Sequence, residues 1–180
     1  MPHVARAPSR TGVYHVPARV ERGLPSLRAA HVVSRIERSF RRGCARPDFR
    51  LVHYSIQRDH VHLIVEAVDS RALGRGVRGL LIGVARAANH VWGRRGAVIG
   101  ERYHHRRLQS PREVRNAIAY VLENARKHLG DRFERGWIDP ASSGRWFWAR
   151  ATDAPAVAQP QFWLLKVGWL RHGLIRVDGS

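Results

Sequence analysis

The sequence predicts an α+β fold in which one antiparallel sheet carries helices on one face and receives one added helix. Two observations lead to this fold class. Short runs rich in apolar and β-branched residues, typical of strands, alternate with longer stretches whose apolar residues recur every three or four positions, typical of helices. Along the 180 residues these segments follow the order β-α-β-β-α-β-α. That order is the split βαβ plan followed by a further helix.

The first 68 residues contain three of the four predicted strands and one helix. Residues 13–20 are predicted to form the first strand, and Ser26–Arg42 the first helix, because its apolar residues follow helical spacing. Phe49–Ile56 and residues 61–68 are predicted as the second and third strands. Pro17 has no backbone N–H, so the first strand should lie at an edge or contain a bulge near that position.

The second helix is predicted from an apolar stripe between residues 73 and 91. Its members are Leu73, Val77, Leu80, Leu81, Val84, Ala88 and Val91. Within it, Gly74–Gly79 spells G-x-G-x-x-G, a pattern found in dinucleotide-binding loops. Val77 already belongs to the helical stripe and the chain is too short for a doubly wound sheet, so a plain helix is the favoured interpretation. Residues 97–109 should hold the last strand.

The third helix has a recognisable start and end. Ser110 suits the N-cap, Pro111 the first helical position and Glu113 the third, while Gly130 suits the stop. One apolar stripe lies between them: Val114, Ala117, Ile118, Val121, Leu122 and Ala125. At about 100° per residue, Tyr120 falls nearly opposite the centre of this stripe. Its place on the polar face indicates a purpose other than core packing. The alternative is an ordinary exposed surface tyrosine.

Two histidines in the third strand form a candidate metal site. In a strand, side chains at i and i+2 project from the same face, so His60 and His62 point the same way, roughly 6–7 Å apart at the backbone. Two imidazoles on a rigid element can bind one divalent cation. The alternative is a pair of half-buried histidines satisfied by ordinary hydrogen bonds.

The histidine pair and the tyrosine helix are chemically compatible with cleavage of a phosphodiester. A cation held by His60 and His62 can act as a Lewis acid on a phosphate oxygen. Tyr120 can attack phosphorus and form a covalent phosphotyrosine. Asn124, one turn after Tyr120, can place an amide oxygen near the cation as a third ligand. We expect Mg²⁺ or Mn²⁺, with phosphate and water completing an octahedron.

Six segments between residues 12 and 130 carry a family resemblance. They are Val13–Val16, Gly23–Arg28, His53–Ile56, His60–Glu66, Arg102–Tyr103 and Ala119–Arg126. In this order they resemble the single-tyrosine HUH transposases, where U is a hydrophobic residue, and within them the REP-associated tyrosine transposases, which are tied to short palindromic genomic repeats. Asp59 departs from the family pattern, which more often has asparagine there. A carboxylate at this position can repel DNA or tune metal affinity.

The resemblance implies both an architecture and an activity. It implies a ferredoxin-like core with the tyrosine helix beside the histidine strand, divided into a flexible N-terminus (1–11), an HUH transposase catalytic domain (12–130) and a Trp-rich C-terminal extension (131–180). The implied activity is cleavage and rejoining of single-stranded DNA beside palindromic hairpins, through a 5′-phosphotyrosine and a free 3′-hydroxyl. Two alternatives stay open: a domesticated hairpin-binding protein with little or no turnover, and a metal-dependent nuclease or RNA-binding relative.

The charge balance points to a polyanionic partner. The chain has 32 basic and 14 acidic residues, a formal charge of +18, and such a field binds nucleic acid with strong salt dependence. Codon bias would explain why only Lys127 and Lys166 are lysines, but not the excess of bases over acids. The candidate DNA contacts are Arg102, Arg106, Arg107, Arg112, Arg115 and Lys127. We expect single-stranded or hairpin DNA as partner; the sequence does not decide between a monomer and a homodimer.

The cysteine content indicates the cellular compartment, and the C-terminal extension is rich in tryptophan. The single cysteine, Cys44, excludes an internal disulfide, and no segment approaches membrane-spanning length. The expected location is the bacterial cytoplasm, in association with the nucleoid. Five of the six tryptophans lie beyond residue 130: Trp137, Trp146, Trp148, Trp163 and Trp169. They either cap the core or offer a stacking surface for unpaired bases.

Overall fold

The computed structural model describes residues 11–100, 103–129 and 136–177, with backbone alone for residues 127–129. The strands are β1 (Gly12–Arg19), β2 (Ala45–Arg46), β3 (Phe49–Ile56), β4 (His60–Ala67) and β5 (Arg106–Leu108). The helices are α1 (Ala30–Gly43), α2 (Ser70–Val91), α3 (Pro111–Leu129), α4 (Gly144–Phe147) and α5 (Trp163–Lys166), followed by a 3₁₀ helix at Gly168–His172. The predicted flexible N-terminus, 1–11, lies outside the described residues apart from Thr11.

The sheet has the strand order β2-β3-β4-β1-β5, and all its pairings are antiparallel. The helices α1 and α2 pack together on one face, whereas α3 packs against β3 and β4 on the other. The predicted α+β class, with an antiparallel sheet, helices on one face and an added helix, is therefore confirmed. The added helix lies on the face opposite to α1 and α2.

Several element boundaries differ from the sequence prediction. Helix α1 begins at Ala30 rather than Ser26, because the backbone N–H of Leu27 is donated to the carbonyl of Arg58 and holds this segment against the β3–β4 turn. The last strand is only three residues long. Pro17 does not interrupt β1, which pairs with β4 over its whole length. On its other side β1 pairs with β5 only over Val13–His15, so no β5 ladder requires an N–H from Pro17.

The G-x-G-x-x-G segment lies inside α2, which runs without interruption from Ser70. Asp69 caps this helix by accepting a hydrogen bond from the backbone N–H of Ala72 at 2.7 Å. A dinucleotide-binding loop would place its glycines before the helix, so the helical interpretation of this segment is confirmed.

Two hydrophobic cores lie on the two faces of the sheet. We call the one beneath α1 and α2 the first core; its central residues include Tyr14, Val16, Leu63, Val65, Ile36, Phe40, Val77 and Val84. We call the one beneath α3 the second core; it contains Val13, Val52, Ile64, Leu108, Val114, Ile118, Val121, Leu165, Trp169 and Ile175. Since successive strand residues point to opposite faces, each central strand supplies both cores.

The C-terminal tail completes the structure on both faces. Ala141 and Ala158 form backbone hydrogen bonds with Ile56 and Leu51, so the tail covers the part of the β3 edge that two-residue β2 leaves open. The tail then contributes Leu165 and Trp169 to the second core. Among its tryptophans, Trp163 stays 48% exposed, with Arg171 stacked over its ring. None of the helices described is long and apolar enough to cross a membrane.

A buried ion pair fastens the tail to the core. The Arg28 guanidinium binds the Asp139 carboxylate through two hydrogen bonds of 2.7 and 3.0 Å, and also donates to the carbonyl of Ile56 at 2.9 Å. The Asp139 side chain is 1% exposed. Breaking a buried pair from one side leaves the other charge uncompensated, which is far more costly than losing a surface pair.

We expect Asp139→Ala to lower the free energy of unfolding by about 3 kcal/mol, because Arg28 then lacks its counter-charge. Urea unfolding at neutral pH measures this change. The matched control is Asp153→Ala, since the Asp153 side chain is 47% exposed and pairs with Arg41 at 2.7 Å; it should cost less than about 1 kcal/mol. Equal losses in the two variants would contradict the importance of the buried pair.

Candidate active site

The two histidines of β4 lie side by side beneath α3. Residues 61, 63, 65 and 67 of β4 enter the first core, so His60, His62 and Glu66 face the other side with Ile64. The ring centroids of His60 and His62 are 4.8 Å apart, with the rings nearly perpendicular. The structure thus brings the predicted pair together on the face to which the tyrosine helix packs.

A third histidine, His15 of β1, completes the group and was not singled out from the sequence. Its Nε2 lies 3.1 Å from Nδ1 of His62, and the two rings stack with centroids 5.2 Å apart. Burial lowers the pKa of His15 to about 4, with a smaller contribution from the charge of Arg106. The contact depends on the β1–β4 register, in which His15 lies opposite Ile64, and sequence spacing could not show it.

Tyr120 lies against this histidine group. Its ring centroid is 5.3 Å from that of His62 and 6.0 Å from that of His15, and the residue is 38% exposed. The other tyrosines are placed differently. Tyr14 and Tyr54 are buried in the first core, and Tyr103 packs against that core, on the far side of the sheet from the histidines. Among the four tyrosines, Tyr120 is the one in contact with the histidine rings of β4.

Asn124 is fully buried, although the sequence placed it on the polar side of α3 near Tyr120. It is 0% exposed, and among the residues that the structure describes neither Oδ1 nor Nδ2 has a hydrogen-bond partner. An amide buried in this way costs about 1–3 kcal/mol unless something satisfies it. A ligand atom at this position would remove that cost.

Asp59, the departure from the family pattern, holds the first histidine in one tautomer. Its Oδ1 accepts a hydrogen bond from Nδ1 of His60 at 2.7 Å. This hydrogen bond is the main reason that the pKa of Asp59 is lowered. With Nδ1 protonated and donated to the carboxylate, the ring presents Nε2 as the nitrogen able to bind a metal.

The residues present fit a divalent cation only if an amide joins the two histidines. Within the described part of the chain, no group of three or more His, Cys, Asp or Glu side chains could hold a metal ion. Glu66 is occupied elsewhere: its carboxylate accepts hydrogen bonds from the backbone N–H groups of Gln161 and Phe162 at 2.8–3.1 Å. Burial raises the pKa of Glu66 in spite of these hydrogen bonds. The set His60, His62 and Asn124 as metal ligands stays a prediction, with the buried Asn124 amide as the one donor besides the histidines.

The predicted DNA-contacting arginines do not all face the site. Arg106 lies opposite His15 in the β1–β5 pair, so the two side chains share a face, and it forms a weak ion pair with Glu113 at 3.7 Å. Arg107 is the next residue of the strand, so it points to the other face, and its guanidinium donates to the carbonyl of Thr11 at 2.9 Å.

The helix residues of the predicted DNA-binding set also differ in role. Arg112 is exposed in the first turn of α3. Arg115 donates hydrogen bonds of 3.0 and 3.2 Å to the carbonyls of Gly173 and Leu174, and so ties the tail to α3. Arg102 lies outside the described residues, and the side chain of Lys127 is not described. A DNA contact by any of the six residues stays a prediction.

Among solved structures, the chain resembles one described as a REP-associated tyrosine transposase bound to a REP hairpin. The TM-score is 0.61 at 16% sequence identity, over 89% of this chain and 93% of that chain. The chain has the fold of a REP-associated tyrosine transposase. A provisionally assigned transposase from Deinococcus radiodurans R1 aligns less well, at a TM-score of 0.45 and 17% identity, over 60% of this chain and 87% of that chain. No protein-family model and no curated protein sequence matches the chain.

We expect acid to destabilise the fold through His53, a buried residue at the β-bulge in β3. Burial lowers its pKa from 6.5 to about 4, so the unfolded chain takes up a proton below pH 6.5 that the folded chain refuses. The stability from this source is complete above pH 6.5 and is lost as the pH falls towards 4, about 2.5 kcal/mol by pH 4.5.

Urea unfolding of the native protein and of His53→Gln at pH 7.5 and 4.5 measures this effect. Between pH 7.5 and 4.5 the free energy of unfolding should fall by about 2.5 kcal/mol less in the variant than in the native protein, because glutamine does not titrate. Equal losses in the two proteins would show that His53 does not contribute to acid sensitivity.

Proposed function

We propose that this protein is a metal-dependent tyrosine transposase of the REP-associated type. In this proposal it cleaves and rejoins single-stranded DNA beside palindromic hairpins through a covalent 5′-phosphotyrosine. The observation that supports it most is the contact of the Tyr120 ring with His62 and His15, on a fold shared with a REP-associated tyrosine transposase.

In the proposed reaction Tyr120 is the nucleophile. Its phenolic oxygen forms a bond to phosphorus while the bond from phosphorus to the 3′ oxygen breaks. The 5′ phosphate is then joined to the tyrosine, and the phenolic proton ends on the released 3′-hydroxyl. Partial exposure of Tyr120 supports this role, because a strand of DNA must reach the ring from solvent. Attack by a 3′-hydroxyl on the phosphotyrosine reverses the step and rejoins DNA.

The proposed ligands for Mg²⁺ or Mn²⁺ are His60, His62 and Asn124. When bound, such a cation would polarise a phosphate oxygen and stabilise the negative charge of the transition state. Contacts within the chain orient both histidines before a cation binds: Asp59 contacts Nδ1 of His60, and His15 contacts Nδ1 of His62. Nε2 is then the expected ligating nitrogen in both histidines. The Asn124 amide is buried without a hydrogen-bond partner among the described residues, and its Oδ1 would be satisfied by coordinating the cation.

The proposed substrate is hairpin DNA with an unpaired flank. The attacked phosphate must be accessible to a tyrosine on a helix surface. Base stacking in a duplex would keep the phosphodiester in a geometry that the tyrosine cannot reach. The structure similar to this chain is described as bound to a REP hairpin, and the charge of +18 favours phosphate binding. Arg106 and Arg112 are the best placed of the predicted contacts, since one shares the face of His15 and the other is exposed at the start of α3.

The alternative is a domesticated protein that binds such hairpins with little or no turnover. Asp59 is the observation that favours it, because a carboxylate with 59% of its side chain exposed beside the histidines opposes a phosphate. Covalent adduct formation separates the two functions. A pure binding protein forms none.

We expect Tyr120→Phe to abolish the covalent adduct, lowering its rate of formation by roughly 10⁴-fold or more, because phenylalanine has no nucleophile. The measurement is a denaturing gel of protein incubated with a labelled hairpin carrying a 5′ single-stranded flank. Tyr103→Phe is the matched control and should form the adduct at the native rate, since Tyr103 packs on the other side of the sheet. Mass mapping of the adduct to Tyr14, Tyr54 or Tyr103 would overturn the assignment.

We expect the His60→Ala, His62→Ala double variant to lose at least about 100-fold in cleavage rate, because a Lewis acid contributes several kcal/mol to the transition state. Chelation with EDTA should have the same effect on the native protein while leaving hairpin binding mostly intact. Mn²⁺ should raise the melting temperature of the native protein but not of the double variant. A double variant of the exposed histidines, His31→Ala with His172→Ala, serves as control and should keep both responses.

Full cleavage by the His60→Ala, His62→Ala variant would reject the metal site. Cleavage by the native protein that resists EDTA would do the same.

A further inference from the structure

A second basic surface lies on the face of the sheet opposite to Tyr120. It is a groove of about 450 Å³ between α1 and α2. Its lining contains five arginines and one histidine: Arg35, Arg38, Arg42, Arg46, Arg86 and His90. Because α1 and α2 cover the first core and α3 covers the second, this groove and the histidine–tyrosine group are separated by the sheet.

The groove is cationic without internal compensation. No acidic side chain lines it. In the part of the chain that the structure describes, none of its five arginines pairs with a carboxylate, whereas Arg28, Arg41 and Arg145 elsewhere all do. Arg35 donates a hydrogen bond to Nε2 of His90 across the groove. This hydrogen bond positions the Arg35 guanidinium but does not neutralise its charge. A cluster of this kind repels itself and attracts an anionic partner.

The glycines of α2 that line the groove differ in what surrounds them. Packing requires a glycine at position 76, since a Cβ there would overlap the Phe49 ring, and a Cβ at Gly83 would meet the Ser39 side chain. Gly79 has no such constraint: its Cβ would meet only the Arg46 guanidinium, at 3.6 Å. An exposed glycine inside a helix costs about 1 kcal/mol relative to alanine. A side chain can be added at Gly79 without a clash and without loss of helix stability.

The arrangement of the arginines suits a sugar-phosphate backbone. Arg35, Arg38 and Arg42 are spaced i, i+3 and i+7 along α1, so they form one stripe about 10 Å long. Their guanidinium groups offer planar forks for phosphate oxygens. The lining contains no Phe, Tyr or Trp on which an unpaired base could stack. Phosphates held at regular spacing by the duplex therefore fit this groove better than a flexible single strand.

We propose that the α1–α2 groove binds the phosphate backbone of duplex DNA, independently of the scissile strand at Tyr120. The identification of the polyanion as DNA rests on the proposed function. The binding is independent of sequence, because phosphate contacts carry no base information. It gives the protein a weak affinity for blunt duplex, below that for a flanked hairpin.

The test is the salt dependence of binding to a blunt 20-bp duplex. In the triple variant Arg38→Gln, Arg42→Gln, Arg86→Gln, the slope of log affinity against log salt should fall by about 2.7, since each phosphate contact contributes about 0.9. Between 50 and 200 mM salt, the native protein should then lose about 40-fold more affinity than the variant. All three residues are exposed, so the fold should survive, which a thermal melt verifies.

The matched control removes three exposed arginines outside the groove: Arg22→Gln, Arg95→Gln, Arg150→Gln. It changes the net charge equally but should leave the slope close to the native value. Equal slopes for the two triple variants would overturn the proposal, since net charge alone would then explain the binding.

A single substitution provides an independent test. Gly79→Glu places a carboxylate beside Arg46 and should lower the slope by about 1, because it neutralises one contact. Gly79→Ala also replaces the helical glycine but adds no charge, so it should bind like the native protein. An unchanged slope in Gly79→Glu would contradict the proposal.

The probe also tests the kind of nucleic acid. An unstructured 20-nucleotide oligo(dT) should bind the groove triple variant and the native protein with similar slopes. An equal loss on oligo(dT) and duplex would overturn the duplex assignment. The proposed function fails separately: absence of a tyrosine adduct with a flanked hairpin would reject strand transfer, whereas an unaltered duplex slope would reject the groove.

Discussion

Strand β4 is hydrogen-bonded on both sides and covered on both faces, and this double burial determines where the rest of the molecule lies. Because side chains alternate, Val61, Leu63 and Val65 enter the first core, so His60 and His62 must face α3. A slip of one residue would move the histidines into the first core and the valines out of it. The histidine pair is therefore held in place mainly by the burial of its apolar neighbours.

The tail extends the same constraint to the second core. Glu66, on the histidine face of β4, accepts the N–H groups of Gln161 and Phe162 and so places the residues that precede α5. Leu165 and Trp169 then complete the core beneath α3. The position of Tyr120 above the histidines thus depends on residues far from it in sequence. The described part of the Trp-rich tail, residues 136–177, contributes buried side chains to both hydrophobic cores. It therefore packs directly against the part of the chain that carries the candidate site.

The arginines of the described residues fall into two groups: some form ion pairs that hold the fold together, and others have no carboxylate partner. Arg28 and Arg145 are partly buried and form ion pairs with Asp139 and Glu37, and these pairs fasten the tail to the core. The groove between α1 and α2 instead concentrates arginines that no carboxylate of the described residues neutralises. A net charge of +18 consequently does not mean that every arginine binds nucleic acid. Arg115, which the sequence suggested as a DNA contact, is engaged with the carbonyls of the tail.

The sequence by itself determined most of the elements and which of them hold the candidate residues. Periods of two and 3.6 residues identified β4 and α2, and the capping residues around Ser110 identified α3, because these signals act within a few neighbouring residues. Only the tertiary structure decided which side chains meet. The contact of His15 with His62 depends on the β1–β4 register, and the burial of Asn124 depends on the docking of α3. Both are long-range contacts, and no local pattern records the partner strand or the covering helix.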